Sequence, residues 1–546
     1  MRTLTAAWLL LTSFAFISGC GGKPASHPAS ANTMESFVDS PSYGDTIVDS
    51  SIADAMTLNP LLYNDRFSLS IIEMVFDSLV VLDEKLQIKG DLAESWEQGQ
   101  DSRELIIHLH QGIKWHDGVP FSAEDVKFTY DLLLHTVTPI GLSSTLDEVD
   151  TLEIIDPFTL RARYKKITSS YLKCWLFQIL PRHLYQGGNL AESSYNRQPV
   201  GTGPFRFVEW VPQEKIILKA NSDYFTGRPF IDNYICTVIP DPSMAYLGLL
   251  RGDIDILRLT PDQYLKHADE TEFKTRYNIQ RFFSLDYTFL GFNLDNPLFS
   301  DRLVRRALTM AVNRQAIIDD VLYGYGKQIS GPFPPDYWAY DRGIMPWPYS
   351  TSEAVTLLSQ AGYRPASDGI LEREGRRFSF TISTNNGNEI RRLVALQIQK
   401  CLQEIGVDVR IERLEWGDFS DRLNNRQLDA ALLGFFYGPH VDPYSFWHSS
   451  MIPDKEKKLK GLNTIGYSNP EADRLLEEYR SSTDRSVQEK LCHQLHAILH
   501  QDQPMIFLFS EEKIVAVDKR IRQLSNSADG FLNFTKAFIP EGLQKY

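Results

Sequence analysis

The stretch from 378 to 436 constrains the fold most. Phe378, Phe380 and Ile382 alternate with polar neighbours, residues 389–405 follow a helical period, and Val407, Val409 and Ile411 alternate again. Strand, helix and strand at this spacing form a βαβ unit, whose right-handed crossover pairs its strands in parallel. A second helix near 416–425 and the apolar run LDAALL (428–433) extend the pattern, and such a run suits a strand covered on both faces. The fold class is therefore α/β, with a ligand crevice expected beyond the carboxyl ends of the strands. GFFYGPHVDPYSFWHSS (434–450) follows at that end, with six aromatics and two histidines around a Gly-Pro and an Asp-Pro. Proline cannot donate to a ladder and Asp-Pro favours a turn, so this is a loop at a candidate ligand wall.

The first half of the chain is richer in strands. Leu105, Ile107 and Leu109 alternate before a turn at HDG (116–118), and Phe158, Leu160, Ala162 and Tyr164 alternate after Asp156-Pro157. Ser122 to Asp125 has the form of a capping box, with Val126, Tyr130, Leu133 and Leu134 as the apolar stripe of its helix. Residues 204–210 and 215–220 form a hairpin, followed by a strand over 231–239. Near the end, helices at 470–480 and 486–500 precede MIFLFSEEKIVAV (505–517), a strand-like tail placed to rejoin the first lobe.

With 546 residues, 43% hydrophobic and 23% charged, the chain is globular and too long for one core. A net charge of −14 gives no basic footprint for nucleic acid or anionic lipid. Arg2, the short apolar run Ala6–Ile17 and then Ile-Ser-Gly-Cys20 read as a signal peptide, since twelve residues are too few to span a bilayer. The ending resembles a bacterial lipobox, which implies a lipid on Cys20. Residues 20–43, rich in Gly, Pro, Ala and Ser, form a tether with a reach of roughly 25 Å. Cys174, Cys236, Cys401 and Cys492 lack CxxC spacing, and are either disulfides or buried thiols.

No motif for catalysis stands out: GxSxG, HExxH and GxxxxGK[ST] are all missing. Gly201-Thr-Gly-Pro204 lacks the lysine of a phosphate loop, and Pro204 lacks an N–H, so a turn opening a strand is expected. His493, His496 and His500 share one helical face, read as a surface or lobe-interface stripe rather than a metal site. Asp253 and Asp255, alternating with isoleucines, read as a solvated strand face. No cofactor, metal or catalytic residue is expected, and the chain is read as not an enzyme; a secreted hydrolase would need a nucleophile–base pair.

Five phrases carry a resemblance: LAESWE (92–97), WHDGVPFSAEDVKFTY (115–130), VGTGPFRFVEW (200–210), FLGFNLDNPLFSDRLVRRALTMAVNR (289–314) and GYSNPEADRLLEE (466–478). From about residue 44 to the end the chain resembles bacterial extracellular solute-binding proteins of the oligopeptide/dipeptide type, family 5. The resemblance implies a periplasmic binding protein-like fold (type II, large peptide-binding class): two lobes around a ligand cleft, with an extra subdomain inserted in the first. The implied boundaries are a signal peptide at 1–19, a tether at 20–43, lobe I at 44–290 with the insertion near 71–199, lobe II at 291–504, and a return to lobe I at 505–546. It implies a lipid-anchored monomer outside the cytoplasm that captures peptides and delivers them to an ABC permease. Relatives also take nickel chelates, haem or oligosaccharides.

In peptide-binding relatives an acid in the 434–450 loop meets the ligand's ammonium group. The resemblance places that acid about three residues before Asp-Pro, where this chain has Pro439. Asp442 is then either a substitute anchor or an Asx-type turn residue. His440 either donates to a ligand carboxylate or caps the turn. Trp416 and Tyr437 stand at strand ends, Tyr287 and Asn293 flank the crossing between lobes, and Thr202 lies in the GTGP turn. Each is a ligand-binding candidate or ordinary packing.

Overall fold

The computed structural model describes residues 40–83, 87–135, 146, 148–166, 171–436, 442–453, 461–482, 484–526 and 532–545. Strand β1 (Thr46–Ser51) and helix α1 (Arg66–Val75) come first. Strands β2 (Ala93–Gln98) and β3 (Glu104–Leu109), helix α2 (Ala123–His135), and strands β4 (Val149–Asp156) and β5 (Thr159–Tyr164) follow. These four strands form a separate antiparallel sheet ordered β2–β3–β5–β4. Next, β6 (Phe205–Val211), β7 (Lys215–Ala220) and β8 (Asn233–Val238) form a meander, and β1 joins it by pairing in parallel with β8. The β2–β5 sheet thus interrupts the chain between two members of another sheet, as an inserted subdomain does.

Local chemistry explains these elements. In β3, Leu105, Ile107 and Leu109 are buried while Ile106 and His108 are half-buried, the pattern of a strand with one covered face. At the start of α2 the Asp125 carboxylate accepts from the Ser122 N–H (3.0 Å), while Ser122 Oγ accepts from the Glu124 N–H (3.3 Å). The expected capping box is therefore half-formed: the acid reaches back, but the hydroxyl serves the nearer amide. Val126, Tyr130 and Leu133 are buried behind it, whereas Leu134, expected in the stripe, is exposed.

In the second half, β9 (Asp286–Phe292) leads to β10 (Ser379–Asn385), α3 (Glu389–Gln403), β11 (Asp408–Leu414) and β12 (Ala430–Phe436). β10 pairs in parallel with both β11 and β12, and β9 runs antiparallel to β12. The βαβ unit expected from the sequence is present. Helices α4 (Pro470–Ser481) and α5 (Arg485–Asp502) then lead into β13 (Met505–Asp518). The sheet runs Ile256–Arg258, β13, β9, β12, β10, β11. One large core gathers side chains from β1 through β8 together with Val515, Val517 and Ile539. Others gather around Leu290, Ile382 and Ile506, and around Tyr287, Tyr479 and Phe507. β13 thus contributes to both the core of the first strands and those of the second half.

Two expectations need correction. Asp255 is not on a solvated face: it is 1% exposed and pairs with Arg520 (2.8 Å) and Lys545 (2.9 Å). Arg520 also bonds the buried Asp45 just before β1, so the ends of the described chain are tied by one ionic knot. The histidine stripe is also not a surface feature. His496 and His500 are buried, bonded to Ser330 Oγ (3.0 Å) and to the Ser330 carbonyl (2.8 Å). Cys174, Cys236, Cys401 and Cys492 are buried free thiols.

Arg520 is a cation that Asp45 and Asp255 share, and without it Asp255 keeps only Lys545 as an ion-pair partner among the described residues. Arg520→Met should lower unfolding stability by about 3 kcal/mol, read as a lower urea midpoint at unchanged slope; an unchanged midpoint would show the knot to be energetically neutral.

Candidate functional site

β10, β11 and β12 end side by side, at Asn385, Leu414 and Phe436. The residues at and beyond those ends, among them Asn386, Arg391, Trp416, Phe435 and Phe436, line one wall of a cleft of about 2140 Å³. The end of β1, the exposed side of α1 and residues 224–227 line the facing wall. This is the crevice that parallel strands in an α/β sheet leave at their carboxyl ends.

The start of α3 is built for this position. The Asn386 N–H donates to the Leu414 carbonyl (2.7 Å), tying the end of β10 to the end of β11. Gly387 turns the chain at φ 80°, and Asn388 caps the helix by accepting from the Arg391 N–H (2.9 Å). The first-turn amides and their partial positive charge therefore lie at the cleft wall. Arg391 Nη1 donates to Asn385 Oδ1 (2.6 Å). A Cβ on Gly434 of β12 would sit 2.7 Å from Arg391 Nη2, so glycine there makes room for the guanidinium. Burial pulls Arg391 down to about 10 against the opposing charges of Glu511 and Asp286.

Where the walls meet, Asp286 accepts from Arg66 (3.2 Å), Lys513 (3.2 Å) and Ser284 Oγ (2.7 Å). Burial alone would raise its carboxyl, but Lys513 and Arg66 hold it below the usual range. The Arg66 guanidinium also lies 4.7 Å from the centre of the Phe436 ring, so α1 of one wall grips β9 and β12 of the other. On the α1 side, burial pushes Asp49 up to about 6 despite bonds from the Ser50 amide and Tyr234 (3.0 Å). Asp77 is likewise pushed up to about 6 by burial, with Thr202 (2.8 Å) and Tyr224 (3.2 Å) donating to it.

Of the residues singled out in the sequence, Tyr287 and Trp416 line the cleft. Thr202 does not, but its hydroxyl holds Asp77, which does. Asn293 is outside the lining, donating to the Arg426 carbonyl (3.0 Å) in a turn. Asp442 is also outside it. Its carboxylate caps the short helix Pro443–Trp447 and accepts from Arg480 Nε at 2.5 Å. Tyr437, His440 and Cys20 lie outside the described residues. Arg391, Arg66, Asp286 and Lys513 were not singled out. The NNGN run (385–388) is a helix-start signal that points to α3 and Arg391, whereas nothing local marks Arg66 and Asp286. Among the described residues no group of three His, Cys, Asp or Glu could hold a metal.

Residues 87–456 match the model of bacterial extracellular solute-binding proteins, family 5 Middle. The oligopeptide-binding protein AppA of Bacillus subtilis (strain 168) is 32% identical over 524 residues, 94% of each chain. The structure of AppA from Bacillus subtilis in complex with a nonapeptide superposes with a TM-score of 0.83 at 31% identity, covering 92% of this chain and all of that one. NikZ from Campylobacter jejuni in complex with Ni(L-His) gives a TM-score of 0.78 at 27% identity, covering 90% of this chain and 97% of the other.

Burial holds the Asp49 carboxyl above its ordinary range. The folded protein binds its proton more tightly than the unfolded chain, so the group's contribution is full below about 4 and is lost as pH rises through about 6. Asp49→Asn removes the buried charge; its one amide oxygen can accept from the Ser50 N–H while its NH2 donates to the Tyr234 hydroxyl. Its thermal midpoint should exceed wild type at pH 8, by about 1–2 kcal/mol of stability, and converge with wild type at pH 4. A lower midpoint at pH 8 would contradict the buried-charge penalty.

Proposed function

Because this chain belongs to the bacterial extracellular solute-binding proteins, family 5, we propose that it captures oligopeptides between its two lobes for delivery to an ABC permease. The observation that carries the oligopeptide reading is the size of the cleft. About 2140 Å³ exceeds the roughly 300–1,000 Å³ that suits a compact small molecule such as a metal chelate. The nonapeptide held by the Bacillus relative supports the same reading. Strand ends and the amides of α3 offer main-chain partners to an extended peptide, and Phe67, Phe225 and Trp416 bury side chains without selecting one type. Arg391 is the group for a ligand carboxylate, and the acids of the facing wall receive an ammonium.

Capture is a population shift: ligand favours a closed form whose lobes are the expected 44–290 with 505–546, and 291–504. The protein works as a monomer outside the cytoplasm, held to a membrane by lipid on Cys20 and the 20–43 tether. The lipobox-like run ending at Cys20 supports the anchor.

Peptide at 100 times its dissociation constant should add about 2.7 kcal/mol of stability, visible as a thermal shift. Mass spectrometry of co-purified ligand should give a ladder of masses; a single mass would favour a non-peptide solute. In the same assay Arg391→Gln should weaken peptides with a free carboxyl terminus about 10–100-fold and amidated ones much less; equal losses would remove that role. Cys20→Ser should release the protein from membranes, and a variant that still fractionates with them would overturn the anchor.

A further inference from the structure

Two carboxyls on the α1 wall of the cleft, Asp77 and Asp91, have no ion-pair partner among the described residues. Asp77 follows α1, and its segment is paired through the backbone with two others. The Asp91 N–H donates to the Leu79 carbonyl (3.1 Å), the Ile179 N–H donates to the Asp77 carbonyl (3.0 Å), and Ser78 bridges to Gln178. These bonds bring Asp77, Asp91 and Gln178 together, and all three line the cleft.

Their polar atoms are only partly used. Asp77, 6% exposed, accepts from Thr202 Oγ1 on Oδ2 (2.8 Å) and from the Tyr224 hydroxyl on Oδ1 (3.2 Å). Asp91 is half-buried and accepts from the Ser78 N–H on Oδ2 (3.1 Å), while its Oδ1 accepts from nothing among the described residues. Gln178 is 8% exposed, yet its side-chain amide makes no hydrogen bond among the described residues. A polar group held out of water in that state is costly, so an amide lining a ligand cleft points to an absent partner. Lys89, the cation that acts on Asp91, is exposed and not within ion-pair distance of it. Burial pushes Asp77 up to about 6, and desolvation with the neighbouring Asp77 charge holds Asp91 above the usual carboxylate range. Leu176, Phe205 and Phe225, close along the chain to Gln178, Thr202 and Tyr224, add apolar lining.

We propose that Asp77, Asp91 and Gln178 form a subsite for the basic side chain of a lysine or arginine within the bound peptide. An ammonium or guanidinium carries several donors and no acceptor. The open Asp91 oxygen, the Asp77 carboxylate and Gln178 Oε1 are acceptors for them, and charge-assisted bonds of this kind are the strong ones. The methylene stem of the side chain lies along the apolar lining while its head meets the acids. A terminal ammonium stands directly on the main chain and has no such stem to bury. The subsite deepens the oligopeptide reading and rests on it: this wall selects for a basic residue instead of only receiving an amino terminus.

Alanine-based nonapeptides with one lysine placed in turn at each internal position, each matched by a norleucine peptide, separate the charge from the stem. At one position lysine should bind wild type about 10–100-fold more tightly than norleucine. Asp91→Asn keeps the shape and an acceptor for the Ser78 N–H, and should cut that advantage to less than about threefold. Gln178→Leu, which changes no charge, should reduce it in the same direction. Equal affinity for lysine and norleucine at every position, or an advantage that survives both substitutions, would overturn the subsite. So would an Asp91→Asn loss on the all-alanine nonapeptide that vanishes when its amino terminus is acetylated, since the acids would then hold the terminal ammonium. Butylguanidinium, a stem and a cation without a peptide, should raise the thermal midpoint of wild type more than that of Asp91→Asn; equal shifts would count as failure. If wild type binds no peptide at all, the oligopeptide reading falls, while butylguanidinium still decides whether the acids take a basic side chain.

Discussion

One strand holds the two lobes to a common frame. β13 is fourteen residues long; its first half is buried against β9, and its second pairs with Ile256–Arg258 and Tyr277–Phe283. A strand cannot bend sharply within its ladder without losing hydrogen bonds, so it is least constrained where the pairing partner changes. That place is the polar stretch Ser510 to Lys513, between the apolar runs Ile506–Phe509 and Ile514–Val517. There Lys513 pairs with both Glu511 and Asp286, and Asp286 also holds Arg66 of α1. The change in side-chain chemistry and the change in pairing partner coincide, and the cleft opens beside them.

The parts of the fold legible in the sequence are those set by local period. The βαβ unit, the β6–β7 hairpin and the long strand near the end stand within a few residues of where alternation and helical spacing put them. Periodicity shows which residues share a face, but not what covers it. Asp255 and the buried α5 histidines show this: the elements that cover them, Arg520 and Lys545 in one case and the Ser330 segment in the other, come from distant parts of the chain. Arg66 and Asp286 are 220 residues apart and carry no local signal of their pairing.

The aromatic loop shows the same limit within a single stretch. Its composition marks it as unusual, yet its rings divide between two tasks. Phe435 and Phe436 line the cleft, whereas Trp447 is buried in the core with Tyr467 and Phe507. Phe446 meets Phe435 edge-on at 4.4 Å, so the core supports the wall. Asp442 follows the same division. With Arg480 against its carboxylate and the Tyr444 amide on its other oxygen, it fixes the turn that carries these rings.

The charges on the two walls are complementary to a ligand that carries both signs. On the α1 side, burial raises the carboxyls of Asp49 and Asp77 because hydrogen bonds from Tyr234, Thr202 and Tyr224 do not replace a cation. On the α3 side, burial lowers Arg391, whose one hydrogen-bonded side-chain acceptor among the described residues is a neutral amide oxygen. Each wall alone holds charge at a cost that water offsets only while the cleft is open. A zwitterionic chain laid between them supplies an ammonium to one and a carboxylate to the other, and closure strengthens both contacts by excluding water. Under the proposed function, the ligand's charged ends and backbone would supply the differential affinity for closure, and its side chains would meet rings that take apolar area without fixing sequence.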